Sequence, residues 1–152
     1  MSLSVSFMGL PLKNPIIAAA GPWCRDATAM QKAIDAGAAA VVTETITLEK
    51  SHMVSPRIFY RQGEVYNTTL YSTQTLEEVE QEAERLHKGD AFLICNIRGT
   101  TPSELRYLAS RMQRLGADAL ELCCFTPIGT KLEDISIRPE EVGEMVRGVT
   151  SA

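Results

Sequence analysis

An α/β fold built on parallel strands is predicted by three observations: four nearly continuous apolar segments, an amphipathic segment after each, and a junction that repeats between helix and strand. Segments 15–20, 39–46, 91–97 and 119–124 run in Ala, Val, Ile, Leu and Cys with little polar alternation. Such segments are strands buried on both faces. The stretches 27–36, 76–88, 102–115 and 139–149 repeat apolar residues at i, i+3, i+4 and i+7, the stripe of a helix that covers a sheet. The junctions Asp35-Ala36-Gly37-Ala38-Ala39-Ala40-Val41-Val42 and Arg114-Leu115-Gly116-Ala117-Asp118-Ala119-Leu120-Glu121 are close copies. In each, Gly supplies a left-handed helix cap, and small residues let the chain turn into the next strand. A doubly wound sheet uses the same junction, but no Gly-rich dinucleotide turn follows the first strand. The pattern therefore favours a TIM-type (β/α)8 barrel. Residues 1–152 would carry its first four βα units and an N-terminal hairpin, as the N-terminal half of a single domain.

In chain order, residues 3–12 alternate around Met8-Gly9, a short hairpin placed to close the barrel floor. The first strand ends at Ala19-Ala20-Gly21-Pro22, the second at Thr43-Glu44-Thr45, the third at Asn96-Ile97-Arg98-Gly99 and the fourth at Cys123-Cys124-Phe125-Thr126-Pro127. These tips and the loops after them are where barrel enzymes keep their chemistry.

The chain is 45% hydrophobic and 22% charged, the composition of one ordinary soluble domain. No apolar run approaches the roughly 20 residues of a membrane helix, and no basic, then apolar, leader opens the chain. A cytoplasmic protein with no membrane partner is expected. A net charge of −4 without a basic stripe argues against nucleic acid. Cys24, Cys95, Cys123 and Cys124 lie in or just after predicted strands, so they read as buried reduced thiols. Cys123 and Cys124 are adjacent in a strand and point to opposite faces, and neither His52 nor His87 lies at ligand spacing from them. No metal site is expected.

Phe7-Met8-Gly9-Leu10 through Asn14-Pro15-Ile16-Ile17, the Ala19-Ala20-Gly21 tip, Thr43-Glu44-Thr45-Ile46-Thr47-Leu48-Glu49-Lys50 and Ser55-Pro56-Arg57 resemble class 1 dihydroorotate dehydrogenases in order and spacing. The likeness continues through Asn67-Thr68-Thr69, Cys95-Asn96-Ile97-Arg98-Gly99 and Leu115-Gly116-Ala117-Asp118-Ala119-Leu120-Glu121-Leu122. It covers essentially this whole chain, but only the N-terminal half of that family's FMN-binding barrel. The resemblance implies an FMN-dependent oxidoreductase of pyrimidine biosynthesis that turns dihydroorotate into orotate. In the family, hydride leaves substrate C6 for the flavin while a base removes the C5 proton.

The resemblance also assigns residues. Ala19, Ala20 and Gly21 bring backbone to the flavin, and Glu44, Thr45, Asn96 and Cys123 fall on further cofactor positions. Glu44 stands between two threonines where the family carries a Lys that meets flavin and substrate carboxylate. The charge is reversed. A satisfied strand-end carboxylate, or a partner for an amine-bearing substrate, for Arg98 or for another subunit, are the other roles open to it. Asn67 falls on a substrate position, and as a loop Asn it equally suits a turn. Thr126 falls on the position of the catalytic base, while Cys123 and Ile128 replace two amides. A pre-proline loop residue is the plainer account of Thr126. The phosphate of FMN is held in that family after its seventh and eighth strands, so four units alone should not bind it tightly. Two open sheet edges predict a homo-oligomer or a missing C-terminal barrel half as partner, besides a small-molecule substrate. The alternatives are a divergent flavin oxidoreductase with another substrate, or a non-catalytic barrel half serving assembly or regulation.

Overall fold

The computed structural model describes residues 3–50, 58–67, 71–124 and 139–151. It opens with an antiparallel hairpin of β1 (Val5–Phe7) and β2 (Leu10–Leu12). Met8 and Gly9 both have positive φ, 52° and 81°, the pairing that matches the twist of a tight hairpin. The remaining strands are β3 (Ile17–Ala18), β4 (Ala40–Val42), β5 (Ile58–Arg61), β6 (Glu64–Asn67), β7 (Phe92–Ile97) and β8 (Ala119–Leu122). Four of them form one sheet in the order β3-β4-β7-β8, every pairing parallel. This is the α/β order expected from the apolar segments. Helices α1 (Ala27–Asp35), α2 (Leu76–Glu84), α3 (Pro102–Leu115) and α4 (Pro139–Thr150) alternate with these strands. Among the described residues, no helix is long and apolar enough to cross a membrane.

Strand alternation divides the core in two. Val41, Leu93, Cys95 and Ile97 pack with Met30, Ile34, Val79, Leu105, Leu108 and Met112 from the helices. On the other face Ala40, Val42 and Ile94 pack with Leu12 of the hairpin, and Ile17, Phe92 and Ala119 border them. Leu12 is 1% exposed. The hairpin thus covers the face opposite the helices near the strand starts, and Lys13 pairs there with Asp90 just before β7, at 2.8 Å.

Each of the first three helices starts on a side-chain cap. Asp26 accepts from the Ala29 amide at 2.8 Å, Thr75 and Glu78 form a reciprocal capping box, and Thr101 accepts from the Glu104 amide. These satisfy donors that a helix start leaves unpaired. Gly116 closes α3 in the left-handed conformation, φ 88°, as its junction predicts.

Three local features depart from the sequence pattern. The second strand, expected over 39–46, breaks after Val42. There the Asn96 amide takes Thr43 Oγ1, at 3.0 Å, in place of a backbone carbonyl, and pairing resumes only at Ile46 opposite Ile97. α2, expected to reach 88, ends at Glu84 because α1 captures the chain: Gln31 accepts from the His87 amide and donates to its carbonyl. The β5–β6 hairpin was not anticipated. Its turn at Gln62 and Gly63 has positive φ at both residues, 52° and 87°, while Ile58, Tyr60 and Val65 are exposed.

Candidate functional site

Parallel pairing puts the carboxyl ends of β3, β4, β7 and β8 at one end of the sheet. Seven of the predicted site residues collect there. Ala19, Ala20 and Gly21 follow β3 directly, Glu44 and Thr45 follow β4, Asn96 is the penultimate residue of β7, and Cys123 follows β8. Backbone bonds knit the tips together: the Ile46 amide donates to Asn96 O, the Cys123 amide to Ile97 O, and the Ser72 amide to Thr45 O. Ser72, which the motifs do not single out, is 2% exposed and anchors the chain leading into α2.

Ala19 and Ala20 are exposed and Gly21 is half-buried. Gly21 has φ 144° and ψ −168°, a region open essentially to glycine alone. A Cβ there would meet nothing within 4 Å. The glycine is demanded by backbone shape, and it leaves the tip bare.

Glu44 is 5% exposed and lines a narrow cavity with Cys24, Thr43 and Ser72. Burial pushes the Cys24 thiol up, a backbone hydrogen bond at Val42 opposes this, and the charge of Glu44 adds to the rise. Thiol and carboxylate are therefore close enough to feel each other. A thiol held protonated is a poor nucleophile.

On β7 and β8, Asn96 and Glu121 are register partners, and Asn96 Nδ2 donates to Glu121 Oε1. Asn96 is 5% exposed, and its Oδ1 has no hydrogen-bond partner among the described residues. Beyond the strand end, Arg98 Nη1 donates to Cys123 O at 3.4 Å, and its guanidinium lies 5.5 Å from the centre of the Tyr71 ring. Arg98 thus joins the tips of β7 and β8 to the segment after β6. Glu121 escaped notice in the sequence, although it stands two residues before Cys123 on the same face of a predicted strand; alternation was the available signal.

Cys123 and Cys124 are half-buried and, with Cys24 and Cys95, carry no disulfide. No three His, Cys, Asp or Glu side chains converge as a metal site among the described residues. Thr126 and Ile128 lie outside the described residues, and Asn67 closes β6 with only its backbone described.

A family model described as dihydroorotate dehydrogenase matches residues 2–149. Dihydropyrimidine dehydrogenase (NADP(+)), chloroplastic, of Arabidopsis thaliana is 31% identical over 143 residues, covering 84% of this chain and 34% of that protein. The catalytic subunit of dihydroorotate dehydrogenase B (NAD(+)) from Pyrococcus abyssi is 32% identical over 150 residues, 97% of this chain and 49% of that one. The same subunit from Methanocella arvoryzae is 29% identical over 153 residues, 100% of this chain and 49% of its own length. The chain spans about half the length of these subunits, and about a third of the plant protein.

Proposed function

The chain belongs to the dihydroorotate dehydrogenase family, and from that premise we propose that it is the N-terminal half of a TIM-type (β/α)8 barrel that binds FMN and oxidises a dihydropyrimidine ring. The observation that carries this is the gathering of Gly21, Glu44, Asn96 and Cys123 at the carboxyl end of one parallel sheet. Barrels hold their ligands at that end.

The residues present suit a flavin. The bare tip at Gly21 admits a planar ring to the backbone, and the buried Asn96 Oδ1 wants a donor such as a ring N–H. Ala19, Ala20, Gly21, Thr45, Asn96 and Cys123 would hold the group, with Glu44 shared between cofactor and substrate. FMN, when bound, supplies the hydride acceptor. Asn67 offers an amide that both donates to and accepts from a pyrimidine edge. Thr126 takes the position of the base that removes the ring proton, and a hydroxyl of ordinary pKa does this only through a water or a neighbouring group. The Pyrococcus and Methanocella relatives are named as catalytic subunits, which supports a partner chain or a second copy for this one.

Glu44 favours a second substrate over the first. A carboxylate stands where the family carries a Lys for orotate's carboxylate. At an effective dielectric of about 20, two like charges about 4 Å apart repel by about 4 kcal/mol. A pyrimidine without a carboxylate is better matched, and the Arabidopsis relative is named for dihydropyrimidine. The test is a titration of the chain with FMN followed by orotate and uracil, read from flavin absorption. We expect weak, saturable flavin binding, uracil bound at least tenfold better than orotate, and a gain of about tenfold for orotate in Glu44→Lys. A chain that leaves the flavin spectrum unchanged overturns the flavin assignment. Micromolar orotate binding that the Lys variant does not improve overturns the altered substrate alone.

A further inference from the structure

Asn96 and Glu121 face one another across the β7–β8 ladder, joined by the bond from Asn96 Nδ2 to Glu121 Oε1. An ionised carboxylate only accepts. The pair therefore forms only with the NH2 of Asn96 turned toward Glu121, which turns the amide oxygen the other way. That oxygen is buried and without a donor among the described residues. Buried acceptors are nearly always paired, and leaving one orphaned costs more than a made bond returns. Its place, one residue before the end of β7, is at the ligand end of the sheet.

We propose that Glu121 is a positioning residue: by holding the Asn96 amide in one orientation, it commits Asn96 Oδ1 to accept a ring N–H. That group is shared by the pyrimidine ring of a flavin and by a free pyrimidine substrate. The inference rests on the function proposed above and deepens it, naming the residue that sets the sense of the hydrogen bond. Glu121 is itself exposed, so replacing it removes little packing. A Gln at the same place can donate as well as accept, and it releases the Asn96 amide to turn over.

Two measurements on the full chain test this. The first needs no ligand: in 1H–15N spectra, one side-chain NH2 proton of Asn96 should stand apart from the other, shifted by its carboxylate partner, and that separation should shrink in Glu121→Gln. An Asn96 NH2 signal that Glu121→Gln leaves unchanged overturns the proposal. The second compares FMN with 3-methyl-FMN, and uracil with its N-methylated forms. In the arm whose ring reaches Asn96, methylation should weaken binding about tenfold, and Glu121→Gln should abolish that preference while leaving far-ultraviolet dichroism unchanged. In an Asn96→Leu background, Glu121→Gln should have no further effect, because Glu121 acts through the amide. If methylation costs nothing in either arm while FMN still binds, the positioning role fails and the flavin assignment stands. If neither FMN nor uracil binds, both fail together.

Discussion

Cys95 is 0% exposed between the sheet and its helices. Burial pushes its thiol up to about 12 from an ordinary 9.0; the charge of Asp118 adds to this and Lys88 opposes it. Below pH 9 the thiol is protonated in both folded and unfolded chains, so it has no effect on their balance. Between about 9 and 12 only the unfolded chain releases the proton, and stability falls as pH rises, by up to about 1.4 kcal/mol per pH unit. Cys24 is raised in the same direction. Urea midpoints at pH 8 and pH 11 should therefore drop more in the unaltered chain than in Cys95→Ala, even though the variant starts less stable from its lost packing. Equal drops would place the alkaline sensitivity elsewhere. The placing of Cys95 was legible, since it lies in an apolar segment that had to be buried. What Glu121 does was not, because it depends on which residue of β7 stands opposite, and register between strands is absent from either strand's own sequence.

At the scale of elements, the sequence is most legible where burial is most complete. The four parallel strands and their helices emerge from periodicity because each residue is sorted by the core it faces. β5 and β6 escape it because Ile58, Tyr60 and Val65 are turned to solvent, leaving only Gln62-Gly63 as a turn signal. The break in β4 escapes it too, since a threonine hydroxyl standing in for a carbonyl leaves no mark in hydropathy. The α3–α4 contact leaves no room for a side chain at one residue of α4. A Cβ at Gly148 would lie 3.0 Å from Pro102 O and 3.1 Å from its Cα, both backbone atoms that have nowhere to go. At Gly143, on the same helix, it would meet only Arg147 Nη1 at 3.6 Å, an ordinary contact. Gly148→Ala should destabilise by about 1–3 kcal/mol through overpacking. Gly143→Ala should stabilise by about 0.5–1 kcal/mol, because it relieves the entropy cost of glycine inside a helix. Chemical denaturation of the two variants checks the pair, and a Gly148→Ala chain as stable as the original would mean the two helices do not meet as described.

For the whole molecule, exposure rises from the centre of the sheet to its edges. Ala40, Val41 and Val42 of β4 and Leu93 to Ile97 of β7 are all buried, 5% exposed or less. Ile17 and Ala18 of β3, and Ala119, Leu120 and Leu122 of β8, are apolar yet only half-buried. Parallel sheets are ordinarily covered on both faces and, when closed, have no edges. Among the described residues β3 and β8 each pair on one side only, so this gradient follows the two edge strands. Further apolar surface lies beside the first of them: Ile16 is 61% exposed and Trp23 83%. Backbone donors and acceptors along both edges, together with these side chains, favour association with another copy or with further βα units. Light scattering across a dilution series should show the chain larger than a monomer at concentrations of tens of micromolar. A charge introduced in β8, Leu120→Glu, is not a clean probe, because Leu120 also packs on the helix-side core. Ile16→Lys is cleaner, since Ile16 lies outside both core clusters and just before β3. It should shift the series toward monomer without lowering thermal stability at the lowest concentration. A well-folded monomer throughout would mean that the edges are satisfied within the chain itself, and the half-barrel assignment would then have to be abandoned.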